Sequence, residues 1–275
     1  MSVKILYCEG SKDSPDVRVL NNVLKACRVK PAGSKYSLAQ NIRFIRGQRV
    51  SSAPIVAAIK DRDFDDDESS PVNSPQEWLV KDNDRKIPVG WYWERKEIEN
   101  YLIDPNVVSQ ALATKAPPIE AYRAALEKSA KTIANYTAAR IALSLSRSKK
   151  LLPLKNGWGK ERGKDRHRFP DRFAESDCRT EIKDIVRQYE REKEITEKTV
   201  LETFERVLPS CREGGHRFKH FLTFFSGKDL LFAMESDLMG WQLGSPFKFR
   251  ERILIGIENS PEDVCSWVPE WHQLR

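Results

Sequence analysis

Two short apolar runs that each end in carboxylates constrain this chain more than any other feature. Ile5-Leu6-Tyr7-Cys8 runs straight into Glu9-Gly10, and Asp13 follows four residues after Glu9. Ile55-Val56-Ala57-Ala58-Ile59-Lys60 runs into Asp61-Arg62-Asp63. Runs of this length and Ile/Val content read as buried strands. Buried parallel strands turn their C-terminal ends to the edge where open α/β sheets bind ligands. Two such ends bring hard oxygen ligands together, and hard oxygens favour Mg²⁺ or Mn²⁺. In Asp61-Arg62-Asp63 the carboxylates stand two apart and share a face if the strand continues through them. Residues 61–68 hold six acids among eight, so an acidic surface loop is the competing reading of that segment taken alone.

The rest of the chain predicts an α/β architecture with a Rossmann-like, mainly parallel core and a helical second subdomain. Strands are expected at 3–8, 42–45, 54–60 and 89–93. A helix is expected over 16–27, opened by Ser14-Pro15, since proline is tolerated in a first turn. Residues 69–88, with prolines at 71, 75 and 88, read as a polar surface loop. Residues 106–145 read as helix, 180–208 as one long helix or a kinked pair, and 253–257 as a last strand or a short helix. The domain boundaries expected are 1–108 for the core, 109–217 for a helical, basic insertion and 218–275 for the return to the core. The most basic stretch is 147–172. There Lys149, Lys150, Lys155, Lys160, Arg162, Lys164, Arg166 and Arg168 alternate with glycines and Trp158. It reads either as an arm that contacts phosphates, with Trp158 stacking on a base, or as a solvated linker.

Composition narrows the class. The 275 residues are 32% charged and 40% hydrophobic, enough apolar content for a packed core. The net charge of +7 suits a polyanionic partner, most simply nucleic acid, although a merely basic surface gives the same sum. No apolar stretch approaches the roughly 18 residues of a membrane span. The N-terminus opens into a strand without a signal-peptide layout, so a cytoplasmic protein is expected. Five cysteines lack any Cys-x-x-Cys pair and fit reduced thiols. Cys211, His216 and His220, with Cys178, form a possible zinc constellation, but core or surface histidines are the favoured reading.

The Glu9-Gly10 pair after the first strand and the Asp61-x-Asp63 pair after a later one resemble the Toprim domain of topoisomerases, primases and overcoming-lysogenization-defect nucleases. Glu97-Ile98-Glu99-Asn100-Tyr101-Leu102 and Ser226-Gly227-Lys228-Asp229-Leu230-Leu231 narrow the likeness. They are similar to small Toprim proteins such as the Toprim subunits of PARIS anti-phage systems, which work beside a separate ABC-type ATPase. The likeness covers residues 3–104 well and 221–235 moderately. It implies a Toprim nuclease that cleaves DNA or RNA, tRNA included, in anti-phage defence, and it leaves room for a homo-oligomer. It implies Glu9, Asp61 and Asp63 as the metal-holding and catalytic triad, with Glu9 also exchanging a proton. Asp13 would serve a second metal, and Asp65, Glu97 and Glu99 are further ligand candidates. If the 97–102 segment is helical, only one of Glu97 and Glu99 faces the site, with Glu97 favoured. Lys228 is the candidate for stabilising the scissile phosphate; an exposed lysine at a helix N-terminus is its plainer reading. Gly227-Lys228 lacks the earlier glycine and following Ser/Thr of a Walker A loop, so no ATP hydrolysis is expected. The alternatives are a non-catalytic or partner-gated nucleic-acid-binding module and a topoisomerase- or primase-like enzyme. For the latter, no nucleophilic-tyrosine or zinc domain is recognisable.

Overall fold

The computed structural model describes residues 3–33, 35–47, 55–82, 85–148, 158, 160–161, 168–170, 172–187 and 195–275. These fall into two compact units. The first comprises Met1–Arg62, Pro71–Ile119 and Lys248–Arg275, the second Asp63–Ser70 and Glu120–Phe247. The class is α/β, as the sequence predicts.

The first unit is built on one sheet. Its strands are β1 (Ile5–Cys8), β2 (Arg28–Pro31), β3 (Val56–Lys60), β4 (Gln76–Asp82) and β5 (Arg85–Tyr92), in the order β2-β1-β3-β5-β4. β2, β1, β3 and β5 run parallel, and β4 is antiparallel to β5 at the edge. Helix α1 (Pro15–Val23) links β1 to β2, and α2 (Lys35–Gly47) leads to β3. β3 has four consecutive buried residues, Val56 to Ile59, the pattern of a strand covered on both faces. Gly90 allows the close approach of β5: a Cβ there would lie 1.8 Å from the Ala58 carbonyl oxygen.

Two sequence expectations for this unit are corrected. Residues 42–45 lie within helix α2, and the second strand is the polar segment Arg28–Pro31. Ile-Arg-Phe-Ile carries β-formers, but Leu38 and Ile42 are one helical turn apart and pack with Val56, Ala58 and Val89, so burial overrides local propensity. Residues 69–88 are not all loop. β4 and the start of β5 form a hairpin, with Trp78 and Val80 packed against that same cluster. Pro88 is tolerated in β5 beside the register shift at Trp78/Leu79, as prolines in sheets require.

After β5 come α3 (Glu99–Leu102) and α4 (Pro105–Leu112). Of α12 (Pro246–Glu258), the part from Lys248 onward belongs to this unit, as does α13 (Pro269–Leu274). Residues 253–257 are helical: Ile253, Leu254 and Ile257 are buried while Ile255 is exposed. Arg18 of α1 grips Glu251 at 2.8 Å and also bonds Glu258.

The second unit is helical. Helix α5 (Ile119–Ser148) begins after Pro117-Pro118, which separate it from α4. Two-residue strands follow, β6 (Lys160–Glu161) and β7 (Arg168–Phe169). The 180–208 region is a pair of helices, α6 (Glu175–Arg187) and α7 (Glu197–Cys211). Short helices complete it: α8 (His216–Lys219), α9 (Phe221–Phe224), α10 (Gly227–Ala233) and α11 (Glu235–Gly240). Among the described residues no helix is long and apolar enough to cross a membrane.

The helical assignment of 42–45 makes a direct prediction. In a strand Ile42 and Phe44 would share a face, whereas in the helix Ile42 is fully buried and Phe44 is 65% exposed. Ile42→Ala should cost about 2–5 kcal/mol and Phe44→Ala under about 0.5 kcal/mol, read by urea denaturation. Equal costs would contradict the helix.

Candidate functional site

The parallel strands of the first unit deliver acidic residues to one edge. β1 ends at Cys8, and Glu9 follows; β3 ends at Lys60, and Asp61 follows. The two strands pair in parallel, Leu6 opposite Ala57 and Tyr7 opposite Ala58, so both ends emerge together. The Asp61 N–H donates to Glu9 Oε1 at 3.4 Å. Burial raises the Cys8 thiol pKa strongly, and the charges of Asp16, Asp61 and Glu9 push it further up. Asp16 was not singled out in the sequence. It stands in the first turn of α1, and its helical position gave no distinguishing signal.

Gly10 has a structural reason. Its φ is +92°, and a Cβ would lie 2.6 Å from the Ser14 hydroxyl oxygen. Glycine alone takes this left-handed turn without cost. Asp13 lies exposed in the turn that follows.

β5 contributes a third carboxylate, Glu94, which the sequence reading passed over. The Trp93 N–H donates to the Lys60 carbonyl at 3.0 Å, so Glu94 follows directly at the same edge. The signal was present, because Trp91-Tyr92-Trp93-Glu94 repeats the pattern of an apolar run ending in an acid. Glu94 is buried. Its carboxylate accepts from the Val72 N–H and, at 2.6 Å, from the Asn73 N–H, and so folds the 72–73 loop. Its carbonyl accepts from buried Arg62 at 3.0 Å, and Lys96 Nζ donates to the Arg62 carbonyl at 2.7 Å. The backbone between Asp61 and Asp63 is therefore held by two cationic side chains.

Behind this edge lies a buried polar cluster. Glu270 of α13 accepts from the Glu94 N–H at 2.8 Å and from the Tyr101 hydroxyl. Burial pushes its carboxyl up to about 7, against the lowering pull of those bonds and of Arg95. Arg95 pairs with Asp104 at 2.8 Å. Tyr101 packs between Trp93 and Trp271, with ring centroids at 5.0 and 6.0 Å. No local pattern marks Glu270, which joins Glu94 from 176 residues away.

Glu97 and Glu99 are both buried. Glu97 stands just before α3, where its N–H donates to Asn100 Oδ1 at 3.0 Å. Glu99 Oε1 accepts from Arg250 at 3.2 Å, so a guanidinium compensates its charge.

The remaining predicted residues belong to the second unit. Asp63 is exposed. Asp65 Oδ1 accepts from the Asp67 N–H at 3.2 Å, an Asx turn. Lys228 is half-buried in the first turn of α10, which Ser226 caps by accepting from the Asp229 N–H at 3.2 Å. The neighbouring Asp229 is buried and paired with Arg140. Trp158 is not available to stack on a base: it is 5% exposed, and Tyr136 packs edge-on against it at 4.9 Å. Lys149, Lys150, Lys155, Arg162, Lys164 and Arg166 lie outside the described residues, as do the side chains of Lys160 and Arg168. The His216 and His220 rings pack tilted against each other with centroids 4.9 Å apart, and burial pushes the Cys178 and Cys211 thiols up to about 12. Among the described residues, no three Asp, Glu, His or Cys side chains form a ready-made metal cage. No protein-family model matches the chain, and no curated protein matches it.

The raised Glu270 carboxyl sets a pH dependence. Its ordinary value is 4.5 and its folded value about 7. Between these values the folded protein keeps a proton that the unfolded chain has released, so stability falls as pH rises through the window. Gln at this position can still accept from Glu94 and meet the Tyr101 hydroxyl. Glu270→Gln should therefore flatten the decline of Tm between about pH 5 and pH 7, measured by thermal melts across that range. A variant with an unchanged pH slope would remove Glu270 as its source.

Proposed function

We propose that this chain is a Mg²⁺- or Mn²⁺-dependent nuclease of the Toprim type that hydrolyses phosphodiester bonds in DNA or RNA. The observation that carries the reading is the convergence of Glu9 and Asp61 at adjacent parallel strand ends, 3.4 Å from the Asp61 nitrogen to the Glu9 carboxylate. The donors are hard oxygens, which suit Mg²⁺ or Mn²⁺. Mg²⁺ usually takes one or two protein carboxylates and completes its shell with water and substrate phosphate, so two strand-end acids suffice without a closed cage. A divalent ion held there would polarise the phosphoryl oxygen and make water a better nucleophile.

Glu9, oriented by the Asp61 N–H, accepts the proton of the attacking water. As the new P–O bond forms, the opposite P–O bond breaks, and the departing oxygen takes up a proton. By resemblance, Asp63 is the third carboxylate and Lys228 the cation that meets the phosphate charge, with Asp13, Asp65, Glu97 and Glu99 as further ligand candidates. The net charge of +7 favours a polyanionic substrate. The resemblance also supports a role in anti-phage defence beside a separate ABC-type ATPase.

The reading is tested by incubating the protein with plasmid DNA, single-stranded DNA and total tRNA, in Mn²⁺ or EDTA, beside Glu9→Ala. Cleavage should require Mn²⁺ and drop by at least about 100-fold in the variant, while the fold by circular dichroism is retained. Cleavage that survives EDTA, or a Glu9→Ala rate equal to wild type, would refute it. The substrate cut decides between DNA and RNA.

A further inference from the structure

The two edges of the five-stranded sheet meet solvent differently. β2 is four residues long, carries Arg28 and Lys30, and ends at Pro31. A short cationic edge with a proline resists pairing with another chain. β4 is seven residues long and holds no proline; among the described residues it borders the sheet on the other side. In its register Trp78 stands opposite Gly90 and Leu79 opposite Pro88, so the extra residue, Val89, belongs to β5 and the alternation of β4 is unbroken. Trp78 and Val80 pack against the cluster of Leu38, Ile42 and Val56. Glu77, Leu79 and Lys81 alternate with them on the other face and are exposed, Leu79 by 42%. An edge strand turns every second backbone N–H and C=O away from its own sheet. β4 therefore offers a backbone template centred on an exposed leucine.

The charges on that face decide what the template fits. Opposed side chains of an antiparallel pair share a face, so a strand that pairs with its own copy is centred on one residue. Centred on Leu79, β4 places Glu77 of each copy opposite Lys81 of the other, because both stand two residues from the centre. Leu79 meets Leu79, and Trp78 meets Val80, an aromatic against a β-branched side chain. Centring on Trp78 or Val80 sets Leu79 against a charge instead. Within one copy Lys81 already stands opposite Lys86 of β5, both exposed, and like charges directly opposite are unfavourable. Glu77 of a second copy answers that repulsion.

We propose that β4 is a dimer edge: two copies of this chain pair antiparallel along it, centred on Leu79, and join their sheets into one. The two-fold turns the second sheet end for end, so the Glu9–Asp61 edges of the two copies face opposite ways. The surface is independent of the chemistry proposed above. Edge pairing alone buries less than the ~800 Å² per partner of a standard interface, so association falls in the micromolar range.

The test is sedimentation velocity of the full chain across that range, with Glu77→Lys, Lys81→Glu and the double variant that exchanges the two. The wild type should pass from monomer to dimer as concentration rises, and backbone hydrogen exchange over 76–82 should slow with it. Each single variant sets like charges opposite each other twice per dimer and should weaken association about 10-fold. The double variant restores opposite charges and should recover it. Rescue reports the Leu79-centred register, because positions 77 and 81 lie about 13 Å apart within one strand and do not pair with each other. A wild type that stays monomeric throughout would overturn the proposal. So would a dimer that both single variants leave intact, or one that the double variant does not restore. Circular dichroism checks that the variants fold. If one does not, exchange in the wild type decides: slowing over 76–82 with concentration supports the edge, and an unchanged rate there refutes it.

Discussion

The register of β1 against β3 governs everything built at the sheet edge. Leu6 stands opposite Ala57, and Ala58 opposite Gly90 on the other side. Side chains alternate along a strand, so a slip of one residue would exchange the faces of a whole strand. It would also move Glu9 out of reach of the Asp61 amide. Gly90 is part of the same constraint: with any Cβ at that position β5 could not lie so close to Ala58. Without that approach the Trp93 amide would not reach the Lys60 carbonyl, and Glu94 would not arrive level with Asp61.

A protein that gathers so many acids must answer those it buries. Glu94 is answered by loop amides, Glu99 by Arg250, Asp104 by Arg95 and Asp229 by Arg140. These pairs are worth little as net stabilisation, because desolvation offsets much of the attraction. What they fix is geometry, since removing either partner leaves an uncompensated buried charge. The acids of the Asp61–Glu68 run divide by surroundings rather than by chemistry. Asp65 and Asp67 shape turns, and Glu68 answers Arg217. Asp61 meets the other strand end, and Asp63 faces solvent.

The two short apolar runs were legible as strands, and β3 shows the signature of a strand covered on both faces in four consecutive buried residues. The strand ends carrying Glu9 and Asp61 were legible for the same reason. β2 was not: its residues are half-exposed or exposed, so nothing apolar marks them. The 42–45 segment misled because β-branched and aromatic residues fit either period over four positions, and only packing of Leu38 and Ile42 against Val56 selects the helix. The β4–β5 hairpin was hidden by Pro71 and Pro75 ahead of β4 and by Pro88 within β5. Trp158, which would stack on a base if its stretch were a phosphate-contacting arm rather than a solvated linker, is enclosed beside Tyr136.

The sequence by itself determined the α/β class, the helical second half and two carboxylates at strand ends, because each is written in local periodicity and in the residue that ends a run. Tertiary structure alone decided which acids share a neighbourhood. Glu270 reaches Glu94 and Arg250 reaches Glu99 from more than 150 residues away, and Arg217 enters the acidic segment from 149 residues beyond Glu68. Such pairings have no local signature. They are selected only when the chain has closed and each buried charge must find its partner.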